Sequence, residues 1–259
     1  MCIIPHLNTN GVVSILKTLN KIRIVLVETS HSGNIGSSAR AMLNMNLTEL
    51  YLVNPKKMPD DLTFATAAHA IEVVNNAKIV PTLIDALDGV DLVIGTSARQ
   101  RRINVPMLCV EDASKKALLY ASQGLTIAVL FGRERTGLFN DELLMCHYHA
   151  YIPSSEGYRS LNLAQAVQIL AYELFKQSNT FGDEELLQQH NHTLEKASTR
   201  EIQNFYSELE HKMQIVGFLN SEKPGHVVDK LKRMFQRAQL EPQEINILRG
   251  FLSRVGKGL

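Results

Sequence analysis

The sequence predicts an α/β domain built on a parallel sheet covered on both faces, followed by a small all-helical domain. Three observations carry that reading. Short apolar runs rich in branched residues alternate with helix-length amphipathic stretches between residues 22 and 176. The runs at 22–28 (IRIVLVE) and 125–131 (LTIAVLF) are almost continuously apolar, the pattern of strands buried on both sides. Beyond residue 198 only helical patterns remain.

Taken in order, the first twenty residues are of mixed polarity, with a short helical stretch at 12–19, and form an N-terminal extension (1–20). The strand at 22–28 leads through a glycine turn to a helix at 35–45, where Ala39, Met42 and Leu43 share one side. A strand at 49–53 is closed by Asn54-Pro55, a helix follows at 62–74, and a short strand at 78–80 is stopped by Pro81. Strands at 91–95, 125–131 and 149–152 alternate with helices at 111–122 and 161–176. The α/β domain is placed at 21–178 and a polar linker at 179–198. In the helical domain, 199–259, Ser198-Thr199-Arg200-Glu201 fits a capping box opening a helix to about 218. Pro224-Gly225 breaks the chain before a helix at 227–240, and Pro242 starts a third.

Composition narrows the function classes. Hydrophobic residues make up 45% and charged residues 20%, ordinary for a soluble globular protein. No apolar run approaches the roughly 20 residues that cross a bilayer, and the start lacks the pattern of a signal peptide. Three widely spaced cysteines, Cys2, Cys109 and Cys146, point to a reducing cytoplasm and not to a disulfide framework. The net charge of +1 means that nucleic-acid binding must come from a local patch.

Chemistry-bearing residues cluster after the predicted strands. The turn Ser32-Gly33-Asn34-Ile35-Gly36-Ser37-Ser38-Ala39-Arg40 lacks the G-x-G-x-x-G spacing of a dinucleotide fingerprint, and no acid closes the second strand to hold a ribose. A nicotinamide oxidoreductase is therefore disfavoured. What remains distinctive is Asn34 at the turn and Arg40 in the helix, although turn chemistry and a surface charge would account for both. Phe131-Gly132-Arg133-Glu134-Arg135-Thr136-Gly137 sets a carboxylate between two arginines and two glycines, a group that should stay ionised and could pin a guanidinium or accept from a substrate hydroxyl. A salt-bridged loop is the plainer reading. Ser160 is an N-cap candidate for the helix at 161–176, which would leave the first helical N–H groups facing a ligand. Gly95-Thr96-Ser97-Ala98 follows another strand, and Arg99, Arg101 and Arg102 form the densest positive cluster, suited to RNA phosphate. Lys230, Arg233 and Arg237 fall on one face of a helix in the tail, which fits RNA backbone contact or a solvated surface equally well. Cys146-x-x-His149 with His147 has no second ligand set of matching spacing, so no metal site is expected.

Together these residues resemble the knotted SPOUT superfamily of RNA methyltransferases, and within it the tRNA ribose 2′-O-methyltransferases of the TrmH/TrmJ type. The pieces that carry the resemblance are Gly33-Asn34-Ile35-Gly36-Ser37-Ser38-Ala39-Arg40, Gly95-Thr96-Ser97-Ala98-Arg99, Phe131-Gly132-Arg133-Glu134-Arg135-Thr136-Gly137-Leu138, and Ile152-Pro153 with Ser160-Leu161-Asn162-Leu163-Ala164-Gln165-Ala166-Val167. They stand in the family's order over roughly 22–176; Ser154-Ser155-Glu156-Gly157 and the N-terminal extension depart from its pattern. The resemblance implies a deep trefoil knot at the C-terminal end of the sheet, a homodimer and a cytoplasmic enzyme that uses no metal. It implies S-adenosylmethionine bound by Thr96, Ser97, Ala98, Gly132, Ile152, Ser160, Leu161 and Asn162. It implies tRNA as substrate, methylated on the pyrimidine ribose (cytidine or uridine) at anticodon-loop position 32, or else at another tRNA or rRNA site. The catalytic set it implies is Arg40, Asn34, Glu134, Ser160 and Asn162. A guanidinium stays protonated in proteins, so Arg40 is expected to hold phosphate and steady a developing alkoxide, not to act as a base. The competing expectation is a module that binds RNA or S-adenosylmethionine without turnover.

Overall fold

A computed structural model of the chain describes residues 18–98, 105–157, 160–180, 197–219, 227–238 and 240–256. Arg99, Arg101 and Arg102, most of the extension and most of the linker lie outside the described residues.

Seven strands, β1 Ile22–Val27, β2 Glu49–Val53, β3 Lys78–Val80, β4 Leu92–Thr96, β5 Met107–Cys109, β6 Ile127–Phe131 and β7 Tyr148–Tyr151, form one sheet in the order β3-β2-β1-β6-β4-β7-β5. Every pairing is parallel, with Leu26 opposite Phe131, Gly95 opposite Leu130 and Thr96 opposite Ala150. All seven C-terminal ends therefore lie along one edge, which is where ligands meet open parallel sheets. The helices of this part are α1 Ser32–Leu43, α2 Asp61–Ala67, α3 Ile71–Asn75, α4 Leu83–Ala86, α5 Val110–Ser122, α6 Asn140–Leu143 and α7 Leu163–Thr180.

Alternation along the strands builds two cores. Ile22, Ile24, Leu26, Leu50, Leu52, Ile94, Val129 and Phe131 point to the face covered by Ile35 and Ala39 of α1, Ala113 and Ala117 of α5, and Val167 and Leu170 of α7. Val25, Val27, Tyr51, Val53, Val93, Ala128 and Leu130 point to the other, against Leu83 and Ala86 of α4 and Leu143 of α6. Burial on both faces explains the unbroken apolar runs in the central strands.

The structure corrects several boundaries. The stretch starting at Ser32, expected as a turn, is the first turn of α1, which begins three residues earlier than predicted. The helix expected at 62–74 is broken: Ala68 has φ +51°, and a 3-10 turn, Ala68–Ala70, separates α2 from α3. Edge strand β5 and the short helices α4 and α6 were not anticipated. Their three or four residues are too few for a periodic signal.

The C-terminal helices are α8 Thr199–Ile215, α9 Val227–Ala238 and α10 Pro242–Leu252. Ser198 caps α8 in a reciprocal box with Glu201, and Pro242 opens α10, both as the sequence predicts. Helices α8 and α10 run side by side in the same direction, with Ala197 N–H donating to the Leu240 carbonyl, Arg249 to Glu208 at 3.0 Å and Lys212 to the Val255 carbonyl. Their own core contains Phe205, Tyr206, Leu240, Ile245 and Leu252, with Phe235 of α9 edge-on to Phe205 at 4.9 Å. Gln236 of α9 donates to the carbonyls of Leu144 and Cys146, and Arg200 pairs with Asp88, which seats these helices against the α/β unit. No helix among the described residues is long and apolar enough to cross a membrane.

Candidate active site

The loops leaving β4, β6 and β7, three adjacent strands, enclose a cavity of about 560 Å³. A volume of that size suits a small-molecule ligand or cofactor. Apolar walls come from Phe131, Leu138, Ala150, Ile152 and Leu161, and polar groups from Thr96, Ser97, Glu134 and Ser160. Seven of the eight residues expected to hold a cofactor line it: Thr96, Ser97, Ala98, Gly132, Ile152, Ser160 and Leu161.

Asn162 does not, and its position corrects the expected cap. Helix α7 begins at Leu163, and Asn162 is the residue that caps it, its Oδ1 accepting from Ala164 N–H at 2.9 Å. Gln165 returns the bond to Asn162 N–H at 3.4 Å. Ser160 lies two residues short of the cap, so its side chain stays on the cavity wall. Asn capping is as favourable as Ser capping, and the choice depends on where the chain enters the helix, which sequence alone leaves open.

Gly132 shows why the β6 loop can form. A Cβ there would collide with the backbone of Gly137 and Leu138, because Arg133 and Gly137 close an antiparallel bridge and Gly137 has φ +67°. The tight turn presents Glu134 to the end of β1. Its carboxylate accepts from Ser30 N–H, from Ser30 Oγ at 2.9 Å, from His31 N–H at 3.2 Å and from Asn34 Nδ2 at 3.0 Å. Asn34 Oδ1 in turn accepts from Asn162 Nδ2 at 3.1 Å. Glu134, Asn34 and Asn162, 128 positions apart from first to last, form one continuous relay. Burial alone would raise the Glu134 carboxyl, but hydrogen bonds from Asn34, from its own backbone and from Ser30 outweigh it and hold the group below the ordinary carboxylate range.

The expectation that Glu134 pins a neighbouring guanidinium is not met. Arg133 turns away, forking onto both oxygens of Glu142 at 2.9 Å, reaching Glu28 at 3.2 Å and covering the Phe139 ring at 3.7 Å. Lys56 meets the same Glu28 at 2.9 Å, and the two cations hold its carboxyl at about 2. Arg40, in the last turn of α1, is exposed and does not line the cavity. Six residues beyond Asn34, it stands about 9 Å further along the helix axis. In the tail, Lys230 is exposed, Arg233 donates to the Asp229 carbonyl within its own helix, and the side chain of Arg237 lies outside the description. Among the described residues no group of His, Cys, Asp and Glu is placed to hold a metal.

Ser30, Glu28 and Glu142 are the site residues that sequence reasoning missed. The available signal was Glu28-Thr29-Ser30-His31 directly after a doubly buried strand, where polar residues have a ligand-facing edge to serve.

Comparison with known proteins gives the same grouping. Residues 21–172 match the SpoU rRNA Methylase family, and residues 200–258 match the family of C-terminal domains of the tRNA methyltransferase TrmJ. A tRNA (cytidine/uridine-2'-O-)-methyltransferase TrmJ from Sodalis glossinidius is 48% identical over 241 residues, 92% of each chain. The protein of that name from Salmonella typhimurium is 48% identical over 242 residues, covering 92% of this chain and 97% of that one. Among solved structures, TrmJ from Z. mobilis superposes with a TM-score of 0.77 at 29% identity, covering 89% of this chain and 97% of that one. A probable methylase family protein from Haemophilus influenzae gives 0.58 at 45% identity, covering 92% and 97%. With the family match spanning the whole sheet and relatives matching nearly end to end, the chain belongs to the SpoU methylase family, among its TrmJ-type members.

Proposed function

We propose that this protein transfers a methyl group from S-adenosylmethionine to the ribose 2′-hydroxyl of a cytidine or uridine in tRNA, at position 32 of the anticodon loop. The observation that carries the reading is the cavity itself, with the Glu134–Asn34–Asn162 relay set at its edge. The names borne by the similar proteins supply the substrate class. The division into a methyltransferase domain at 21–178 and a helical domain at 199–259, the trefoil knot in the cavity-forming loops, the cytoplasmic setting and the homodimer belong to the same reading.

The residues present fit the cofactor. Gly132 lets the β6 loop close tightly on itself beside the cavity, whose walls are apolar with a few hydroxyls, as adenine and a thioether chain require. Thr96, Ser97, Ala98, Gly132, Ile152, Ser160 and Leu161 would hold it. When bound, S-adenosylmethionine supplies a methyl group made electrophilic by its sulfonium.

The chain's part is placement and charge. Glu134 is not the base: its lone pairs are taken by Ser30, His31 and Asn34, and it stays ionised. It fixes Asn34, which with Asn162 sets the mouth of the cavity and the start of α7. Ser160 offers its hydroxyl to the substrate ribose from the cavity wall. Arg40 steadies the developing 2′-alkoxide and the adjacent phosphate as a permanent cation. Its exposure, and its absence from the cavity of its own chain, support delivery to the partner subunit's site.

The test is methyl transfer from labelled S-adenosylmethionine to unmodified tRNA, wild type beside Arg40→Ala, with nuclease mapping. Label on an anticodon-loop ribose, lost in the variant, supports the proposal. Cofactor binding without label would favour a non-catalytic binding module, and label elsewhere would move the target site.

A further inference from the structure

The mouth of the cavity carries a cation that no described residue pairs. Arg135 lines the cavity, is exposed, and has no hydrogen-bond or ion-pair partner among the described residues. Three carboxylates stand close to this turn, and all three are already committed. Glu142 is taken by the fork of Arg133, Glu28 by Arg133 and Lys56, and Glu134 by the donors of Ser30, His31 and Asn34. Glu134 adjoins Arg135 in sequence, yet beyond its own backbone the carboxylate's hydrogen bonds run to residues 30–34. The two arginines of one turn thus differ in kind. Arg133 is a strut, 14% exposed at its side chain and satisfied within the protein, whereas Arg135 is an exposed guanidinium beside the site with no partner among the described residues.

A guanidinium matches the paired oxygens of phosphate and stays charged at every working pH. We propose that Arg135 binds a backbone phosphate of the RNA next to the ribose that enters the cavity. This rests on the reading of the cavity as the methyl-donor site. The exposure of Arg135 places its charge on the solvent side, where a macromolecular substrate must pass, and an unpaired cation there strengthens encounter with a polyanion without desolvation beforehand.

The experiment uses the full-length protein, Arg135→Gln and Arg135→Lys, with steady-state methyl transfer to unmodified tRNA over a KCl series. KM for tRNA and KM for S-adenosylmethionine are measured separately, and tRNA binding without cofactor is followed by filter retention. The proposal expects Arg135→Gln to raise KM for tRNA about 5- to 20-fold and to leave KM for S-adenosylmethionine within about twofold. The log–log salt slope of tRNA binding should become shallower by about one, and Arg135→Lys should recover part of the loss. A rise in KM for S-adenosylmethionine alone would assign Arg135 to the cofactor carboxylate and overturn the proposal. So would an unchanged KM and salt slope for tRNA. If the wild type binds tRNA but transfers no methyl, the functional reading fails on its own, and the two binding slopes still decide the Arg135 contact.

Discussion

The two sides of the Gly132–Gly137 turn hold their carboxylates by opposite means. On one side Glu28 and Glu142 are neutralised by Arg133 and Lys56, charge against charge. On the other, Glu134 keeps its negative charge and is held by neutral donors, its own backbone, the N–H groups of Ser30 and His31, a hydroxyl and an amide. An ion pair of the first kind locks one element to another and tolerates few rearrangements. A carboxylate of the second kind pre-organises the groups around it while leaving nearby cations free for a substrate, as electrostatic catalysis demands. The same three-residue stretch, Arg133-Glu134-Arg135, therefore supplies a brace, an organiser and an exposed cation.

That contrast can be broken experimentally. The largest effect is expected for Glu134→Gln, whose amide N–H₂ would face the N–H groups of Ser30 and His31. Turnover should fall about 10²- to 10³-fold, with a smaller change in Tm; near-normal kcat would remove Glu134 from the site's organisation. Next comes Arg133→Met, which leaves the largely buried Glu142 without its cation and Glu28 with Lys56 alone. It should cost about 2–4 kcal/mol of stability in urea titration, while turnover below the melting range falls less than for Glu134→Gln. The opposite pattern would reverse the roles assigned to the two sides. Asn34→Ala cuts the relay to Asn162 and should lower kcat/KM roughly 10- to 30-fold, about 1.4–2 kcal/mol, with α7 still capped by Asn162.

A smaller effect sharpens the comparison through pH. Glu28 is held at about 2 against an ordinary 4.5. A group depressed in the folded state stabilises fully above its unfolded value and loses that contribution as pH falls through the folded one. The wild type should therefore lose stability between about pH 4.5 and 2, and Glu28→Gln, measured by urea midpoint, should show a flatter profile there. The smallest effect belongs to Arg200→Ala. Its ion pair with Asp88 is more than half exposed on both partners, so Tm and kcat should hardly move.

The sequence by itself determined every strand run but that of edge strand β5, the helices longer than ten residues, the capping box at Ser198 and the grouping of Thr96, Gly132, Ile152 and Ser160 after strand ends. These are local properties. Burial on both faces dictates continuous apolar residues, and a parallel sheet must bring its C-terminal ends to one edge. What only the tertiary structure decided is who touches whom along that edge. Arg133, Glu134 and Arg135 are consecutive in sequence, and nothing in their spacing says that the first reaches Glu28 and Glu142, the second Ser30 and Asn34, and the third no group among the described residues. Nor does spacing reveal that Asn162, not Ser160, caps α7 and completes a relay begun at Glu134. Those partners lie up to 128 positions apart, and their meeting follows from the strand order β1-β6-β4-β7, which no local pattern encodes.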